Sequence, residues 1–273
     1  MKCSIVVPTY NDPVALELIL KALTRQSYKN FEVMVAEDAQ MSETKEVISK
    51  FDSFLDIKHF TQEDKGNRKA VIINKALPHT TGEYIIFIDG DVIPYSTFIE
   101  SHIKLAKPKQ VLCGRRVNLG DKVSQDLRGG KIEAIHIEKN YFKMYKYLNS
   151  DNIRHYEQGI YIKPDSWIYK IIQKRDKNVH ILGSNFSCFR EDIFAINGFD
   201  EDIVGVSKDD VDLEWRFIAS GCKLASCKFS ANLFHLNHSR NDRSDEIALA
   251  NKQMEANRRI NRYICKNGIE KLI

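Results

Sequence analysis

The chain has 273 residues, of which 43% are hydrophobic and 29% charged, and its formal net charge is +4 at pH 7. A chain of that length and composition can bury a sizeable core, which excludes a wholly disordered protein. The mild positive charge permits attraction to anionic surfaces or phosphorylated ligands. Without a basic stripe interleaved with aromatic residues, however, the sequence does not predict a nucleic-acid partner.

Strand-like and helix-like segments alternate through the first third of the chain. Short β-branched or aromatic runs predict strands at Cys3–Val7, Phe31–Ala36, Ile57–Phe60 and Tyr84–Ile88. Apolar residues at helical spacing and capping residues predict helices at Val14–Leu23, Ser42–Phe51 and Lys69–Leu77. Strands separated by helices imply right-handed crossovers, so we expect an α/β fold with a mostly parallel, Rossmann-like central sheet flanked by helices.

The pattern loosens after residue 106. Residues 120–178 carry many charges and aromatic side chains, with helical periodicity in parts, and we interpret them as a helical insertion laid over the edge of the sheet. Regular patterns then return at His180–Phe189, Asp209–Glu214 (a helix start), Cys222–Lys228 (a strand) and Ser244–Ile264 (a polar amphipathic helix). We expect one domain, divided at residues 1–106, 107–243 and 244–273.

Two features bear on the cellular compartment. The six cysteines are scattered and form no C-x-x-C pair, so we expect small buried side chains in a reducing compartment. No stretch approaches the ~20 consecutive apolar residues of a membrane-spanning helix. Pro8 and the polar residues after it interrupt the short apolar run at the N-terminus, which argues against a signal peptide. We therefore expect a cytoplasmic protein.

Polar segments follow three of the predicted strands, namely Pro8–Asp12, Glu37-Asp38 and Asp89–Asp91. Because ligands of open α/β sheets bind at the carboxyl ends of the strands, we expect these segments to meet at one rim. The Asp89-Gly90-Asp91 tripeptide places two carboxylates after a buried strand, where a divalent cation bridging a diphosphate would offset their repulsion. The same tripeptide is also good turn chemistry without a metal.

Two other nucleotide-binding classes lack their signature here. Nucleotidyltransferases begin with a Gly-rich phosphate loop, and dinucleotide-dependent oxidoreductases carry G-x-G-x-x-G after the first strand. The segment Ser4–Asn11 (SIVVPTYN) contains no glycine. Neither class is favoured.

The motifs occur in an order that resembles a known family. The chain has SIVVPTYN, then Glu37-Asp38, Arg68, Asn74 and Asp89-Gly90-Asp91, an ordered set that resembles the GT-A fold glycosyltransferases of the large inverting family 2. A second series resembles the acceptor-side region of β-1,4-galactosyltransferases and bacterial chondroitin-type polymerases; it comprises Gly183–Asn185, Asn197–Glu201, Asp209–Leu213, Arg216 and Gly221. The resemblance covers roughly residues 2–240. It implies a nucleotide-sugar-binding half at 1–106, an acceptor-binding and catalytic half at 107–243, and a C-terminal helix at 244–273.

The resemblance implies a set of donor contacts. Pro8, Thr9 and Tyr10 would wall the pocket for the base, and Asp38 would accept a hydrogen bond from the base imide, which favours uracil. Arg68 would lie over the base or the diphosphate, although a solvated arginine at a helix start explains it equally well. Asp89 would contact the ribose or a metal-bound water.

The resemblance also implies a Mn²⁺ or Mg²⁺ cofactor. Asp91 would bind the metal directly, and His235 lies at about the distance after a predicted strand where relatives supply a histidine ligand. His238 is a second candidate. Imidazole suits Mn²⁺ beside carboxylate and diphosphate oxygens, but a lone histidine is more often a surface or core residue.

Inverting transfer needs a carboxylate that takes the acceptor proton. The resemblance makes Asp210 this base, Asp209 an acceptor contact, and Asn185 a further acceptor-binding residue. Neighbouring carboxylates raise one another's pKa, which suits a base; the acidic pair is also typical of a helix N-terminus stabilised by the macrodipole. Relatives place Trp-Gly shortly before this pair, whereas this chain has Gly205–Lys208, so the usual contacts of that loop are not implied here.

The sequence thus predicts an inverting, metal-dependent enzyme that moves a hexose or N-acetylhexosamine from a UDP-sugar to a glycan or lipid-linked acceptor, in bacterial surface polysaccharide synthesis. The alternative is a catalytically silent nucleotide- or sugar-binding module on the same fold. Ser239–Asp245 is interpreted as a lid over the donor or as a plain loop. Basic residues of the predicted C-terminal helix would permit peripheral attachment to the inner face of a membrane, or form a solvated face; they are Lys252, Arg258, Arg259, Arg262 and Lys266.

Overall fold

The computed structural model describes residues 1–203, 208–238 and 244–272. Within these ranges the strands are, in chain order, β1 (Cys3–Thr9), β2 (Phe31–Glu37), β3 (Ile57–Thr61), β4 (Tyr84–Phe87), β5 (Val92–Pro94), β6 (Gln110–Cys113), β7 (Val117–Asn118), β8 (Phe186–Phe189), β9 (Lys223–Ser226) and β10 (Leu233–His235). All segments that the sequence predicts as strands in the first third are strands. The first extends past Pro8 because Thr9 O still accepts a hydrogen bond from Asp38 N, at 2.9 Å.

The α-helices, again in chain order, are α1 (Pro13–Thr24), α2 (Ser42–Ser49), α3 (Lys69–Ala76), α4 (Phe98–Leu105), α5 (Asp121–Arg128), α6 (Ala134–Lys139), α7 (Tyr145–Asn149), α8 (Trp167–Arg175), α9 (Arg190–Ala195), α10 (Lys208–Ala219) and α11 (Ser244–Arg259). Short 3₁₀ turns cover Leu77–His79 and Tyr156–Gly159. The predicted helix at the C-terminus ends at Arg259 rather than Ile264. It ends there because Asn261 adopts a left-handed backbone conformation, with φ 49°, which a helix cannot continue through.

Seven strands form the main sheet in the order β3-β2-β1-β4-β8-β6-β9. All neighbours pair parallel except β8, which runs antiparallel to β4 and to β6. The other six strands therefore point the same way, and their carboxyl ends share one rim of the sheet. The expected α/β class with a mostly parallel central sheet is confirmed.

A second, three-stranded sheet has the order β5-β10-β7. Its central strand pairs antiparallel with β5, so that His235 lies opposite Val92. This sheet was not predicted, because strands of two or three residues are too short to show a periodic pattern. The pairing therefore places His235, from late in the chain, opposite the residue that follows Asp91.

The core fills both faces of the main sheet. Alternate residues of a strand point to opposite faces; in β1, Ile5 and Val7 pack towards α1, whereas Val6 packs towards α3 and α10. All six cysteines are buried and unpaired, as expected for small core residues.

The helical insertion packs mainly on the small sheet and on α1, rather than simply on the edge of the main sheet. Its apolar side chains form a third cluster with Ala15 of α1 and Phe234 of β10, and the ring of Tyr141 lies 6.2 Å from that of Phe234. Its last helix, α8, sits apart from this cluster and packs on the main core through Tyr169. None of the described helices has the length and hydropathy that crossing a bilayer requires.

Candidate active site

The Asp89-Gly90-Asp91 turn follows β4 and lies against the end of β1. A Cβ atom at Gly90 would stand 2.3 Å from the carbonyl oxygen of Pro8, closer than any real Cβ contact. The glycine therefore permits the two strand ends to meet. Both aspartates are held at the carboxyl rim beside Pro8 and Thr9, as the strand order requires.

Asp91, His235 and His238 converge on one point at this rim. Asp91 Oδ2 lies 3.2 Å from Nε2 of His235 and 3.1 Å from Nε2 of His238. One ligand atom from each residue lies within 4.8 Å of the others, a grouping that could hold a metal ion. His235 is buried in β10, whereas His238 is exposed.

The electrostatics of this cluster suit a cation. Burial alone would raise the pKa of Asp91, but hydrogen bonds and charges from His235 and His238 outweigh it and lower the pKa well below its usual range. Asp91 Oδ1 is buried and has no hydrogen-bond partner among the described residues. Such an atom is costly unless something binds it. A carboxylate with a spare oxygen beside two imidazoles matches the ligands of a transition-metal divalent cation.

A second charged cluster surrounds Lys69, the first residue of α3. Its Nζ lies 2.7 Å from Asp89 Oδ1 and 3.6 Å from Asp209 Oδ2. Burial alone would lower the pKa of Lys69, but Asp89, Asp209 and Asp210 outweigh it and raise the pKa. Arg116 adds a more distant cation, with its Nη1 3.8 Å from Asp89 Oδ2.

Asp210 lies on the first turn of α10 and faces Gly183. A Cβ atom at Gly183 would stand 2.7 Å from Asp210 Oδ1 and 3.1 Å from Lys69 Nζ, so this glycine leaves the space that the carboxylate occupies. Burial raises the pKa of Asp210 to about 7, with further increases from Asp209 and Asp89 and decreases from Lys69 and from a hydrogen bond with the Gly183 backbone. A carboxyl group with such a pKa can accept a proton near neutral pH.

The predicted donor residues lie at the ends of β1 and β2. Asp38 is buried and accepts hydrogen bonds from Gln62 Nε2, at 2.6 Å, and from the backbone N–H of Arg68, at 2.7 Å. These contacts tie the end of β2 to the start of α3. The Arg68 guanidinium donates to the Glu63 carbonyl, and Tyr10 is exposed with its hydroxyl 3.2 Å from Asp64 Oδ2.

Asn185 lies away from any accessible surface. Its side chain is fully buried; Nδ2 donates to the carbonyls of Arg115 and Ala231, both at 2.9 Å, and Oδ1 lies 3.1 Å from His102 Nε2. The predicted acceptor contact is corrected on this point, since every polar atom of the side chain is engaged within the core. Asn185 holds the neighbouring segments together.

Two residues of the site, Lys69 and Gln62, were not predicted from the sequence. A lysine on the first turn of a helix is opposed by the macrodipole, and this unusual position was the available signal for Lys69. No sequence signal marked Gln62, because its role depends on what packs beside it. Gly183 belonged to a motif, but the space it leaves for Asp210 is visible only in the structure. Residues 204–207, where relatives carry Trp-Gly, and residues 239–243 of the lid segment lie outside the described residues.

The parallel sheet, with carboxylates, histidines and a lysine gathered at its carboxyl rim, defines a GT-A type α/β domain. The comparisons with known proteins agree. The family model described as "Glycosyl transferase family 2" matches residues 4–195, and the chain belongs to this family. The resemblance that the motifs indicated is thereby confirmed.

Among curated proteins, the chain is similar to the chondroitin synthase of Escherichia coli, with 32% identity over 103 residues that make up 37% of this chain and 15% of that protein. It is also similar to a validoxylamine A glucosyltransferase of Streptomyces hygroscopicus, with 26% identity over 80% of this chain and 51% of that protein. The chain therefore spans about half or less of the length of these relatives.

Solved structures share the fold at low identity. S. aureus TarS 1–349 in complex with UDP matches 94% of this chain and 65% of that chain, with a TM-score of 0.61 and 15% identity. The mannosyltransferase PcManGT from Pyrobaculum calidifontis, in complex with GDP-Man and Mn²⁺, matches 88% of this chain and 58% of that chain, with a TM-score of 0.57 and 19% identity.

Proposed function

We propose that this chain is an inverting, metal-dependent glycosyltransferase. It moves a hexose or N-acetylhexosamine from a UDP-sugar to a hydroxyl of a glycan or lipid-linked acceptor, in the synthesis of a bacterial surface polysaccharide. Family membership supports sugar transfer, and the donor, metal and pathway are parts of the proposal.

The observation that carries the proposal is the position of Asp210. Its carboxylate is partly buried near Asp209 and Asp89, an arrangement that costs stability whenever the group is charged. A module that only binds a nucleotide or sugar has no use for a partly buried carboxylate with a pKa raised to about 7. A general base has such a use, and for this reason we prefer the enzyme to the silent module.

The reaction is a single displacement. Asp210 takes the proton of the acceptor hydroxyl as the oxygen forms its bond to the anomeric carbon. The bond between that carbon and the β-phosphate oxygen breaks, and UDP leaves with the electron pair. Asp209, on the same turn of α10 and 3.6 Å from Lys69 Nζ, contacts the acceptor and helps to position its hydroxyl.

Asp91, His235 and His238 would hold the divalent cation. When bound, the cation acts as a Lewis acid that stabilises negative charge on the diphosphate leaving group. The ligand set favours Mn²⁺ over Mg²⁺, because Mg²⁺ prefers oxygen ligands alone whereas Mn²⁺ accepts imidazole. Asp91 Oδ1 has no hydrogen-bond partner among the described residues, so it can bind the cation.

The donor would lie along the ends of β1 and β2. The backbone at Pro8 and Thr9 forms one wall, the exposed ring of Tyr10 supplies a stacking surface, and Asp38 with Arg68 faces the base and diphosphate. Asp38 already accepts two hydrogen bonds, so its contact with a uracil imide uses a remaining lone pair. Lys69 holds Asp89 towards the ribose side of this pocket.

The proposal is tested by Asp210→Asn. We expect transfer from UDP-Gal, UDP-GalNAc, UDP-GlcNAc or UDP-Glc, followed as UDP release in Mn²⁺, to fall by at least about a thousandfold, because the variant has no base. UDP affinity should stay within about twofold. The exposed Asp56, an ion-pair partner of Lys2, provides the matched control Asp56→Asn.

Near-wild-type turnover by Asp210→Asn would remove Asp210 from the mechanism. Wild-type protein that binds UDP tightly but transfers none of the four sugars, even to water, would favour the silent module. A response to GDP-sugars alone would retain the enzyme and correct the donor.

A further inference from the structure

Helix α8 presents large apolar side chains to solvent. Trp167, Ile168 and Ile171 are 71%, 45% and 43% exposed, although the helix belongs to a folded domain with a well-filled core. Tryptophan is rarely left this open in a soluble protein, and three large apolar side chains on one short helix form a patch.

The surroundings of this patch are basic. Exposed cationic side chains lie on the helix and in the segments just before and after it in the chain. They are Lys163, Lys170, Lys174, Arg175 and Lys177. The carboxylates that flank the helix in the sequence are both paired, Asp165 with Lys104 at 2.9 Å and Asp176 with Lys228 at 2.8 Å. The helix itself contains no acidic residue. The net field over the patch is therefore positive.

Helical geometry puts the apolar and basic groups on adjoining stripes. At about 100° per residue, Trp167, Ile171 and Ile168 span roughly one quarter of the helix circumference. Lys170 and Lys174 flank this stripe on one side, and Arg175 lies within its other edge. The opposite side is the buried one, centred on Tyr169. This is the pattern of a helix that lies in a membrane interface.

The buried side of α8 is firmly attached to the catalytic rim. Tyr169 Oη and Gln173 Nε2 both donate to the carbonyl of Ser226, at 3.0 and 2.7 Å. Ser226 ends β9, whose carboxyl end lies on the same rim as the Asp89–Asp91 turn and Asp210. A surface bound to α8 would therefore lie at the edge of the rim that carries the proposed active site.

We propose that the exposed face of α8, formed by Trp167, Ile168, Ile171 and the neighbouring Lys170, Lys174 and Arg175, docks on the surface of an anionic lipid bilayer. The apolar side chains enter the interfacial region, and the cations pair with acidic lipid headgroups. Pairing of two copies through this face is disfavoured, because it would bring the basic side chains of both copies together. Membrane docking does not depend on the proposed transfer activity, although it would bring the rim close to lipid-linked acceptors.

We prefer this surface to the C-terminal helix as the site of attachment. In α11, the Arg259 guanidinium is paired with Glu255 at 2.7 Å, and the Arg258 guanidinium lies 5.8 Å from the ring centre of Trp215. These two cations are engaged within the protein, and the exposed Ile260 and Ile264 lie beyond the end of the helix rather than on one of its faces.

The test is co-sedimentation of the full chain with vesicles of phosphatidylcholine alone or mixed with phosphatidylglycerol. We expect binding to the mixed vesicles only, weakened by salt. The triple variant Trp167→Ala/Ile168→Ser/Ile171→Ser should lose at least about tenfold in partition coefficient, because it removes most of the apolar anchor. The matched control is Leu249→Ser/Ile260→Ser, which alters two exposed apolar side chains at the C-terminal helix and just beyond it.

A second readout reports on Trp167 itself. Vesicles should shift the tryptophan emission of the wild type to shorter wavelength, and Trp167→Phe should bind but lose most of this shift. Unchanged melting temperature and UDP response in the triple variant would show that the fold and nucleotide site are intact. The proposal is overturned by absence of binding to anionic vesicles, by equal binding of the triple variant, by equal binding to neutral vesicles, or by a lipid-free dimer that only the triple variant abolishes.

Discussion

At the scale of single residues, Lys69 links the two acidic parts of the proposed site. Its ammonium group lies 2.7 Å from Asp89 and 3.6 Å from Asp209, and its charge lowers the pKa of Asp210, which burial and the neighbouring carboxylates raise. Without this cation, three carboxylates would face one another in a partly buried space. Lys69 therefore positions Asp89 and keeps Asp210 ionisable near neutral pH.

We expect Lys69→Met to raise the pKa of Asp210 further. Because only the deprotonated carboxylate accepts a proton, kcat/KM rises with pH through that pKa, and the acid limb of the profile should move up by about one pH unit or more. Activity at pH 6 should thus fall much more than at pH 9. The pH dependence of kcat/KM for UDP release measures this shift.

Lys69→Arg keeps the positive charge and should restore most of the wild-type profile. Lys75→Met, which removes a lysine near the other end of α3, should leave the profile unchanged. If Lys69→Met lowered activity equally at every pH, the residue would act on donor binding alone and not on the base.

At the scale of elements, the site depends on strand and helix ends that approach unusually closely. The β4 turn rests against the end of β1, and α10 delivers Asp210 to the rim from the other half of the chain. The first approach requires a residue without a side chain, and the second requires that α10 be held in place. Gly90 leaves the space for the contact between β4 and β1, and the buried Arg216 holds α10.

Replacement of Gly90 by alanine should separate the ends of β1 and β4. The new Cβ atom would stand 2.3 Å from Pro8 O, which is backbone and cannot rotate away. We expect a loss of about 1–3 kcal/mol in the free energy of unfolding, as for other overpacked sites, together with weaker UDP binding. Urea denaturation and UDP titration measure the two effects.

Gly129→Ala is the matched control for Gly90, since its Cβ atom would meet only Gln125 O, at 3.2 Å. It should cost less stability and leave UDP affinity unchanged. Equal behaviour of the two variants would show that the contact between Gly90 and Pro8 does not shape the donor pocket.

Arg216 anchors α10. It is fully buried, with Nε 2.6 Å from Asp212 Oδ2 and Nη1 2.9 and 2.8 Å from the carbonyls of Ile196 and Gly198. Arg216→Ala leaves the buried Asp212 unpaired, and we expect a loss of about 3–5 kcal/mol in the free energy of unfolding. Ile218→Ala, two residues along the same helix and half exposed, should cost well under half of that in the same urea titration.

At the scale of the whole molecule, the proposed metal site exists only because β10, from late in the chain, pairs with β5. Asp91 directly precedes β5 and its carbonyl accepts a hydrogen bond from Leu236 N, at 2.9 Å, while His235 lies opposite Val92 in the same small sheet. The metal would therefore join two segments that are distant in the chain, and its binding should stabilise the whole domain. A ligand that binds only the folded state stabilises it by about 2.7 kcal/mol at a hundred times its Kd.

We expect UDP to raise the melting temperature by several degrees in Mn²⁺ and by little in EDTA. Asp91→Ala should abolish the Mn²⁺-dependent part of this rise, because it removes the carboxylate ligand, and should change little in EDTA. Thermal denaturation of the wild type and the variant in the two buffers measures both. An equal loss of the UDP response in Mn²⁺ and in EDTA would mean that Asp91 has a structural role only.

The sequence by itself determined the α/β class, most of the elements of the first third, and the rim that gathers Asp38, Asp89 and Asp91. It could do so because long apolar runs and helical spacing are local patterns, and because parallel strands bring their carboxyl ends to one side. The order of the motifs then indicated the family, and the positions of Asp210 and His235 followed from that resemblance.

Only the tertiary structure decided which side chains meet. It placed Lys69 among the acidic residues, buried Asn185 with all its polar atoms engaged, built the small sheet from strands too short to show a pattern, and left Trp167 in solvent. These outcomes depend on packing between segments distant in the chain. Burial, partner charges and exposure are properties of that packing, and no local pattern encodes them.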